Sequence, residues 1–276
     1  MIKALRRFSL NAALSPLFTP RYTSMALNRL PRDRDGEGTL ARKVVAPTLG
    51  IFRPRGTGVV RVGGISARQH DGVTCAATGI LMLNAAANPV LGAWLDRGVV
   101  PAPDSLPVEI SSLTTAELAA ADPLERLRLA EIAVHDLATR RTLGPFGWPK
   151  KYGTPPWGAA RVARVPGVKY SHRPVNDRDG ALMDDVLGLL VRATSAGIPV
   201  PIYSGGDLSF GWDTAMPRHL ILALPTTAES GKLRIYEPGS GRIHTIAPRE
   251  LRRRSRPHPA LGGWTHLACT LIPIVP

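Results

Sequence analysis

The chain has 276 residues, 44% hydrophobic and 20% charged, which excludes a wholly disordered protein and suits one domain of about 200 residues plus an extension. Its formal net charge of +14 favours contact with anionic partners without indicating a fold. Only two cysteines occur, Cys75 and Cys269, which excludes a disulfide-stapled secreted scaffold and predicts a reducing, cytoplasmic location.

Residues 1–57 are rich in Arg, Pro and Gly and show weak periodicity. This composition predicts a loosely ordered basic extension that precedes a single domain over residues 58–276. The amino terminus lacks the long uninterrupted apolar region of a secretory signal. No stretch reaches the length of a membrane span, so neither a signal nor a span is expected.

The first half of the domain has mainly helical patterns. Residues 59–62 predict a strand, and a helix is predicted over residues 74–87, with a stop near Asn88 because Pro89 disfavours helix at the residue before it. Residues 113–141 predict a long helix, interrupted or kinked near Pro123.

Residues 143–174 are dense in proline and aromatic side chains. They predict a loop-rich span, which either covers a core edge, the commoner use, or forms a wall of a substrate cleft. Residues 179–196 return to helical spacing and end at Gly197, a natural helix stop.

From Pro199 onward the pattern is mostly strand and turn. The apolar run 218–225 and the segment 232–236 predict a hairpin, with His219 and Glu237 near its open end. The run 264–275 predicts a final core strand in which Cys269 is a packed thiol. A helical half followed by a half of strands and turns predicts an α+β fold.

Cys75 follows Gln69 by six positions, where a turn gives way to the predicted helix. A cysteine in the first turn of a helix faces unpaired backbone N–H groups and the positive end of the helix dipole, which stabilise a thiolate. The side-chain NH2 of Gln69 and the backbone N–H of Cys75 are then candidates to hold the oxyanion of an acyl-transfer intermediate. A small buried cysteine on a core helix is the alternative.

His219 is the candidate base for this thiol. Pairing across the predicted hairpin would bring the Glu237 carboxylate to the imidazole, where it would orient the ring and stabilise the imidazolium. Asp213, just ahead of His219, is the nearest substitute for Glu237. A core histidine with one satisfied hydrogen bond is the alternative for His219.

Together these residues resemble the papain-like cysteine peptidases of the bacteriocin-leader-processing group. The resemblance covers roughly residues 59–276 and includes the Gly-Ile-Pro-Val-Pro-Ile segment at 197–202 and the Tyr-Glu-Pro-Gly turn at 236–239. It implies an α+β papain-like fold whose helical half carries the nucleophile and whose antiparallel sheet half carries the base, with the substrate cleft between the two halves. It also implies a thiol-dependent peptidase or amidase whose substrate is a peptide or protein. The implied roles are nucleophile for Cys75, base for His219, orienting acid for Glu237 and oxyanion donor for Gln69.

The chain departs from the family pattern at two positions. Ala76 stands where the family usually has glycine directly after the cysteine, and it adds a methyl where substrate backbone would approach. Glu237 replaces the usual aspartate, and its extra methylene displaces the carboxylate by roughly an ångström unless the backbone retreats. His70, beside Gln69, is a candidate substrate contact.

Other functions are compatible with the same residues. A glutamine deamidase or an acyl transferase would use the same triad, and a non-catalytic basic module on the same scaffold would bind an anionic partner, for which Arg252, Arg253 and Arg254 are the clearest cluster. That cluster lacks interleaved aromatic residues and any recognised nucleic-acid motif, so no specific nucleic-acid binding is predicted. No CxxC, HExxH or paired Cys/His spacing occurs, so neither a metal site nor a cofactor is expected.

Overall fold

The computed structural model describes residues 58–206, 219–226, 231–252 and 256–274. The predicted extension over residues 1–57 lies outside the described residues, as do Asp213, Arg253 and Arg254. The described residues form an α+β fold in which most helices precede the strands of a seven-stranded antiparallel sheet, and the predicted α+β class is confirmed.

Six α-helices can be described. They are α1 (Cys75–Ala87), α2 (Pro89–Arg97), α3 (Thr115–Leu118), α4 (Pro123–Thr139), α5 (Pro156–Val162) and α6 (Gly180–Ser195). Helix α1 is buried almost throughout and packs against α4 on one side and the sheet on the other. It is therefore the central helix of the fold.

The predicted stop of α1 at Asn88 is confirmed, but a second helix begins at once. Asn88 is extended (φ −120°, ψ 108°), and its side-chain oxygen accepts hydrogen bonds from the backbone N–H groups of Val90 and Leu91. Asn88 therefore ends α1 and caps α2, which is bent from it by 114°. The sequence indicated the stop and missed α2.

The long helix predicted over residues 113–141 is two separate helices, α3 and α4. Pro123 is the first residue of α4, and the Asp122 side chain caps that helix by accepting from the Leu124 N–H. A proline at the first helical position costs no hydrogen bond, which is why it starts a helix here and does not kink one.

The loop-rich interpretation of residues 143–174 was wrong for its second half. That half contains α5 and a six-residue strand, Lys169–Pro174, which lies at one edge of the large sheet. In α6, by contrast, the prediction is confirmed: the Asp179 side chain caps its start by accepting from the Leu182 N–H, and Gly197 follows its end.

Nine strands can be described. They are β1 (Gly58–Val59), β2 (Arg61–Val62), β3 (Ile65–Ser66), β4 (Lys169–Pro174), β5 (Val200–Gly205), β6 (His219–Leu224), β7 (Leu233–Glu237), β8 (Arg242–Ile246) and β9 (His266–Ile274). The large sheet has the order β1-β8-β7-β6-β5-β9-β4, and β2 pairs only with β3. Strands β5, β6 and β7 are buried along their whole length, and for β6 the aliphatic run predicts this burial.

The single strand predicted over residues 59–62 is split between the two sheets. The backbone of Val60 donates to Gly241 and accepts from Ala67, so the chain bends there and passes from β1 into β2. The predicted hairpin of β6 and β7 is confirmed as an antiparallel pair.

No single helix among the described residues is long and apolar enough to cross a membrane; by length and composition, only the bent pair of α1 and α2 passes that test together.

Gly158 marks a close approach of two helices and yields a stability prediction. A Cβ at this position of α5 would overlap the backbone carbonyl oxygen of Ala138 in α4. Gly158→Ala is therefore expected to lower the free energy of unfolding by about 2–3 kcal/mol. In α6, Gly188 has open space around the Cβ position, so Gly188→Ala is expected to raise stability by about 0.5–1 kcal/mol.

Urea unfolding of the two variants checks this pair. Each exchanges a helical glycine for alanine, so the helix-propensity gain is common to both. Equal effects of the two substitutions would contradict the close approach of α5 to α4.

Candidate active site

The nucleophile candidate is the first residue of α1. The preceding turn is shaped by Asp71, whose Oδ1 accepts from the backbone N–H groups of Val73 (2.8 Å) and Thr74 (2.9 Å). Thr74 is the N-cap residue and its side chain makes no capping bond. Cys75 therefore lies at a helix amino terminus, with 2% of its surface exposed.

The base candidate is the first residue of β6, and its acid lies on the neighbouring strand. Tyr236 pairs with Leu222, so continuing the register places Glu237 diagonal to His219 on the same face of the hairpin. The His219 Nε2 is 2.7 Å from Glu237 Oε1, and both side chains are buried. The structure thus brings the predicted base and acid together.

The longer side chain of Glu237 is accommodated by the turn that follows it. Its Oε1 accepts from the Gly239 N–H at 2.5 Å and its Oε2 from the Ser240 N–H at 2.7 Å. The carboxylate therefore folds back over its own turn while Oε1 also contacts His219. This geometry brings the glutamate carboxylate to His219 at a position where the resemblance implies an aspartate.

Cys75 extends this pair into a row of three side chains, in which the imidazole of His219 lies between the Cys75 thiol and the Glu237 carboxylate. The Cys75 side chain is hydrogen-bonded to His219, and the Nε2 atom of the same ring contacts Glu237. Burial alone would lower the pKa of His219, but its hydrogen bonds to Cys75 and Glu237 and their negative charges raise it to about 9. His219 and Glu237 are therefore arranged to hold a protonated imidazole beside a carboxylate.

Glu237 shows the complementary shift. Burial opposes its ionisation, but hydrogen bonds from His219 and Ser240 outweigh burial and lower the pKa of Glu237 to about 2. A negatively charged carboxylate beside a positively charged ring is the state in which the acid orients the base.

These shifts predict how stability depends on pH. Because the pKa of His219 is raised from 6.5 to about 9, its contribution is complete below about pH 6.5 and is lost as the pH rises through 9. Because the pKa of Glu237 is lowered from 4.5 to about 2, its contribution is complete above about pH 4.5 and is lost as the pH falls towards 2. The pair should therefore stabilise the fold most between about pH 4.5 and 6.5.

Urea unfolding midpoints across this range, for the wild type and a variant carrying both His219→Gln and Glu237→Gln, test that expectation. The difference between the two proteins should be greatest inside the window and shrink on either side. A difference that does not change with pH would contradict the charged pair.

Gln69 is anchored between the acid turn and the nucleophile loop. Its backbone N–H donates to the Pro238 carbonyl at 3.0 Å, which ties it to the residue after Glu237. Its side-chain Nε2 donates to the Asp71 carbonyl at 2.6 Å, while Oε1 is buried and has no hydrogen-bond partner within the described ranges. The structure places Gln69 in the loop that leads to Cys75, and its oxyanion role stays a prediction.

Gly262 is a site residue that the sequence did not indicate. It has φ +66° and lies directly against the imidazole, so that a Cβ there would overlap the Cδ2 and Nε2 atoms of His219. The adjacent Ser204 holds this region by donating to the carbonyl of Leu261 at 2.8 Å. The only sequence signal for Gly262 is that it belongs to a Gly-Gly pair in the loop before β9, and such pairs are common in turns.

Helix α1 approaches the base-bearing strand closely. A Cβ at Gly79, four residues after Cys75, would overlap the side chain of Leu220, the residue after His219. A larger residue at position 79 would push α1 away from β6. The distance between the nucleophile and the base is therefore set partly by this glycine.

The proline- and aromatic-rich span borders the nucleophile loop. Its Gly153 faces the carbonyl of Val73, two residues before Cys75. Trp148 and Trp157 pack edge to face at 5.3 Å between ring centroids, and Tyr152 stands 6.3 Å from Trp148 with about half its surface exposed. The span thus reaches the site by its backbone while its indoles pack against each other.

The remaining candidates lie elsewhere. Cys269 is buried in β9, and burial raises the pKa of its thiol to about 12. His266 forms a second buried histidine–carboxylate pair with Asp177, at 2.7 Å. Within the described ranges, no group of three or more His, Cys, Asp or Glu side chains is placed to hold a metal ion. Arg252 contacts Asp184.

One groove of the described residues lies away from the candidate site. It measures about 900 Å³ and lies at the far end of α1, beside Asn84 and Ala87. Its buried carboxylate, Glu109, is already bonded to Asn84 at 2.9 Å and lies 3.5 Å from Arg164. This groove is not lined by Cys75, His219 or Glu237. The candidate site is identified by its chemistry, which is the hydrogen-bonded row of thiol, imidazole and carboxylate.

Comparison with protein-family models, with curated proteins and with solved structures gives no match for this chain.

Proposed function

We propose that the chain is a thiol-dependent hydrolase of peptide or amide bonds, built on a papain-like fold. The observation that carries the proposal is the buried row in which Cys75, at a helix amino terminus, is hydrogen-bonded to His219, which is in turn 2.7 Å from Glu237. The placement of the nucleophile on a helix and the base on an adjoining antiparallel strand supports the papain-like assignment.

In the proposed mechanism the Cys75 thiolate attacks the substrate carbonyl carbon, and a carbon–sulfur bond forms as the carbonyl electrons move to oxygen. The backbone N–H of Cys75 and the amide of Gln69 stabilise this oxyanion. On collapse, the bond to the amine breaks and the His219 imidazolium gives its proton to the leaving nitrogen. Water, deprotonated by His219, then hydrolyses the thioester and restores the thiolate.

The acceptor of the acyl group and the chemical identity of the substrate together define the reaction class. Water as acceptor gives a hydrolase, an amine gives an acyl transferase, and a glutamine side chain as substrate gives a deamidase, all with the same residues. A non-catalytic basic module is the alternative from another class, and one of its three proposed cations, Arg252, is already engaged by Asp184. The buried thiol–imidazole–carboxylate row has no use in such a module.

The pH dependence of alkylation by iodoacetamide tests the proposal, with the modified cysteine identified by mass spectrometry. Cys75 is expected to react rapidly at about pH 6, where an ordinary thiol of pKa about 8.5 is less than 1% ionised. Cys269 is the internal control, because burial raises the pKa of its thiol to about 12. Labelling of Cys75 that rises only near about pH 8.5 would reject the hydrolase.

A further inference from the structure

Glu131 is a carboxylate buried in the interior with none of its surface exposed. It lies on α4, and burial raises its pKa above the ordinary value, although hydrogen bonds from His70 and Thr78 oppose that rise. Carboxylates are rarely buried unless they are paired, because desolvation is costly. The contacts that compensate this one therefore indicate what it does.

Each of its two oxygens holds a different part of the nucleophile region. Oε2 accepts the backbone N–H of His70 at 3.2 Å and lies 2.5 Å from His70 Nδ1. Oε1 accepts the Thr78 hydroxyl at 2.8 Å, and Thr78 lies in α1 one turn after Cys75. One carboxylate thus joins the loop after Gln69 to the helix that bears the thiol.

The opposite side of the loop is held by the sheet. Gln69 donates its backbone N–H to Pro238, and the Tyr236 hydroxyl donates to the Ala67 carbonyl at 2.5 Å. The loop is therefore fixed between the acid turn on one side and Glu131 on the other. Oxyanion donors need placement to within about half an ångström, so both anchors matter for the geometry at Cys75.

We infer that Glu131 is a positioning residue for the oxyanion donors of the proposed hydrolase. It fixes Gln69 and the Cys75 N–H relative to one another by joining their loop to α1. The inference rests on the proposed function, and it assigns to Glu131 no contact with substrate.

The rates of two reactions distinguish a positioning role of Glu131 from a general contribution to stability. Iodoacetamide alkylates a thiolate by displacing iodide and forms no oxyanion, so its rate reports Cys75 and His219 alone. Acylation by p-nitrophenyl acetate forms a carbon–sulfur bond, passes through an oxyanion and releases p-nitrophenolate, so its rate also reports the oxyanion donors. Glu131→Gln is expected to slow acylation by about 10- to 100-fold while alkylation at about pH 6 changes by less than about threefold.

Glu109→Gln is the matched control. Glu109 is also a buried carboxylate bonded to α1, through Asn84 near the other end of that helix. The Glu109→Gln variant should have alkylation and acylation rates within about threefold of the wild-type rates. Equal slowing of both reactions in Glu131→Gln, or unchanged acylation, would overturn the inference.

Thr78 offers a second test in case Glu131→Gln does not fold. Thr78→Val removes the hydroxyl bond to Oε1 with little change of shape, whereas Thr78→Ser keeps it. Acylation should fall about tenfold in the valine variant and recover in the serine variant. Equal acylation rates in the two variants would also reject the inference.

Hydrogen exchange gives a readout that needs no catalysis. The segment 69–74 should lose amide protection in Glu131→Gln and keep it in Glu109→Gln, and equal protection would overturn the inference. If the wild type itself is neither alkylated at about pH 6 nor acylated, the proposed hydrolase fails, whatever exchange shows about the loop.

Discussion

Replacing His219 with glutamine is expected to lower the rate of Cys75 alkylation at about pH 6 by on the order of 100-fold. The reason is that an imidazolium beside a sulfur favours the thiolate form, and the hydrogen bond of His219 to Cys75 and the charge of His219 are lost together in the amide variant. At about pH 8.5 and above, where an ordinary thiol ionises unaided, the two proteins should react at similar rates. The measurement is the second-order rate with iodoacetamide across this pH range.

His172→Gln is the matched control, since His172 is a half-buried histidine in β4 that packs against Trp157 and takes no part in the row. It should leave the alkylation profile unchanged. Glu237→Asp adds a finer test: its shorter side chain draws the carboxylate away from His219 Nε2 by roughly an ångström, so low-pH labelling should fall even though the charge is kept. If the pH profile of Cys75 alkylation is the same in His219→Gln as in the wild type, the activated thiol is rejected.

Gly262→Ala is expected to reduce low-pH alkylation of Cys75 by at least about tenfold. The new methyl overlaps His219 Cδ2 and Nε2, so the ring must turn or shift and its bond to Glu237 is disturbed. The neighbouring Gly263 has φ +83° and open space around its Cβ position, so Gly263→Ala imposes a similar backbone cost without touching the imidazole.

Both glycine variants should lose about 1–2 kcal/mol of unfolding free energy from placing alanine in the left-handed region, and Gly262→Ala should lose more because its methyl also overlaps His219. Only Gly262→Ala should alter the alkylation profile and the pH window of the His219–Glu237 pair. Matching alkylation profiles for the two variants would show that Gly262 does not define the position of the ring.

Several local elements could be predicted from the sequence because their signals lie within a few neighbouring residues. The apolar run after Cys75 and the helix stop before Pro89 define α1, and Asp179 and Gly197 define the ends of α6. The aliphatic run of β6 predicts a buried strand. By contrast, α5 and β4 were missed because the prolines and aromatic residues around them favour loops as strongly as they favour short elements.

The candidate site was predicted only in part. Cys75, His219 and Glu237 were singled out by residue type, chain order and resemblance, and the structure places them in one row. Glu131 was missed because, within the pattern of α4, it is an ordinary charged residue, and its contacts to His70 and Thr78 span 61 and 53 positions. Gly262 was missed because a glycine in a turn has many explanations besides close contact with a histidine.

The sequence by itself determined where α1 and α6 begin and end, that β6 and β9 are buried strands, and that a thiol opens a helix. These properties depend on backbone preferences and on the periodicity of apolar side chains, which act over a few residues. Only the tertiary structure decided that β9 lies between β5 and β4, that Glu237 reaches His219 despite its longer side chain, and that Glu131 is buried beside the nucleophile loop. Such proximities arise from the packing of distant segments, which burial and hydrogen bonding select and which no local pattern specifies.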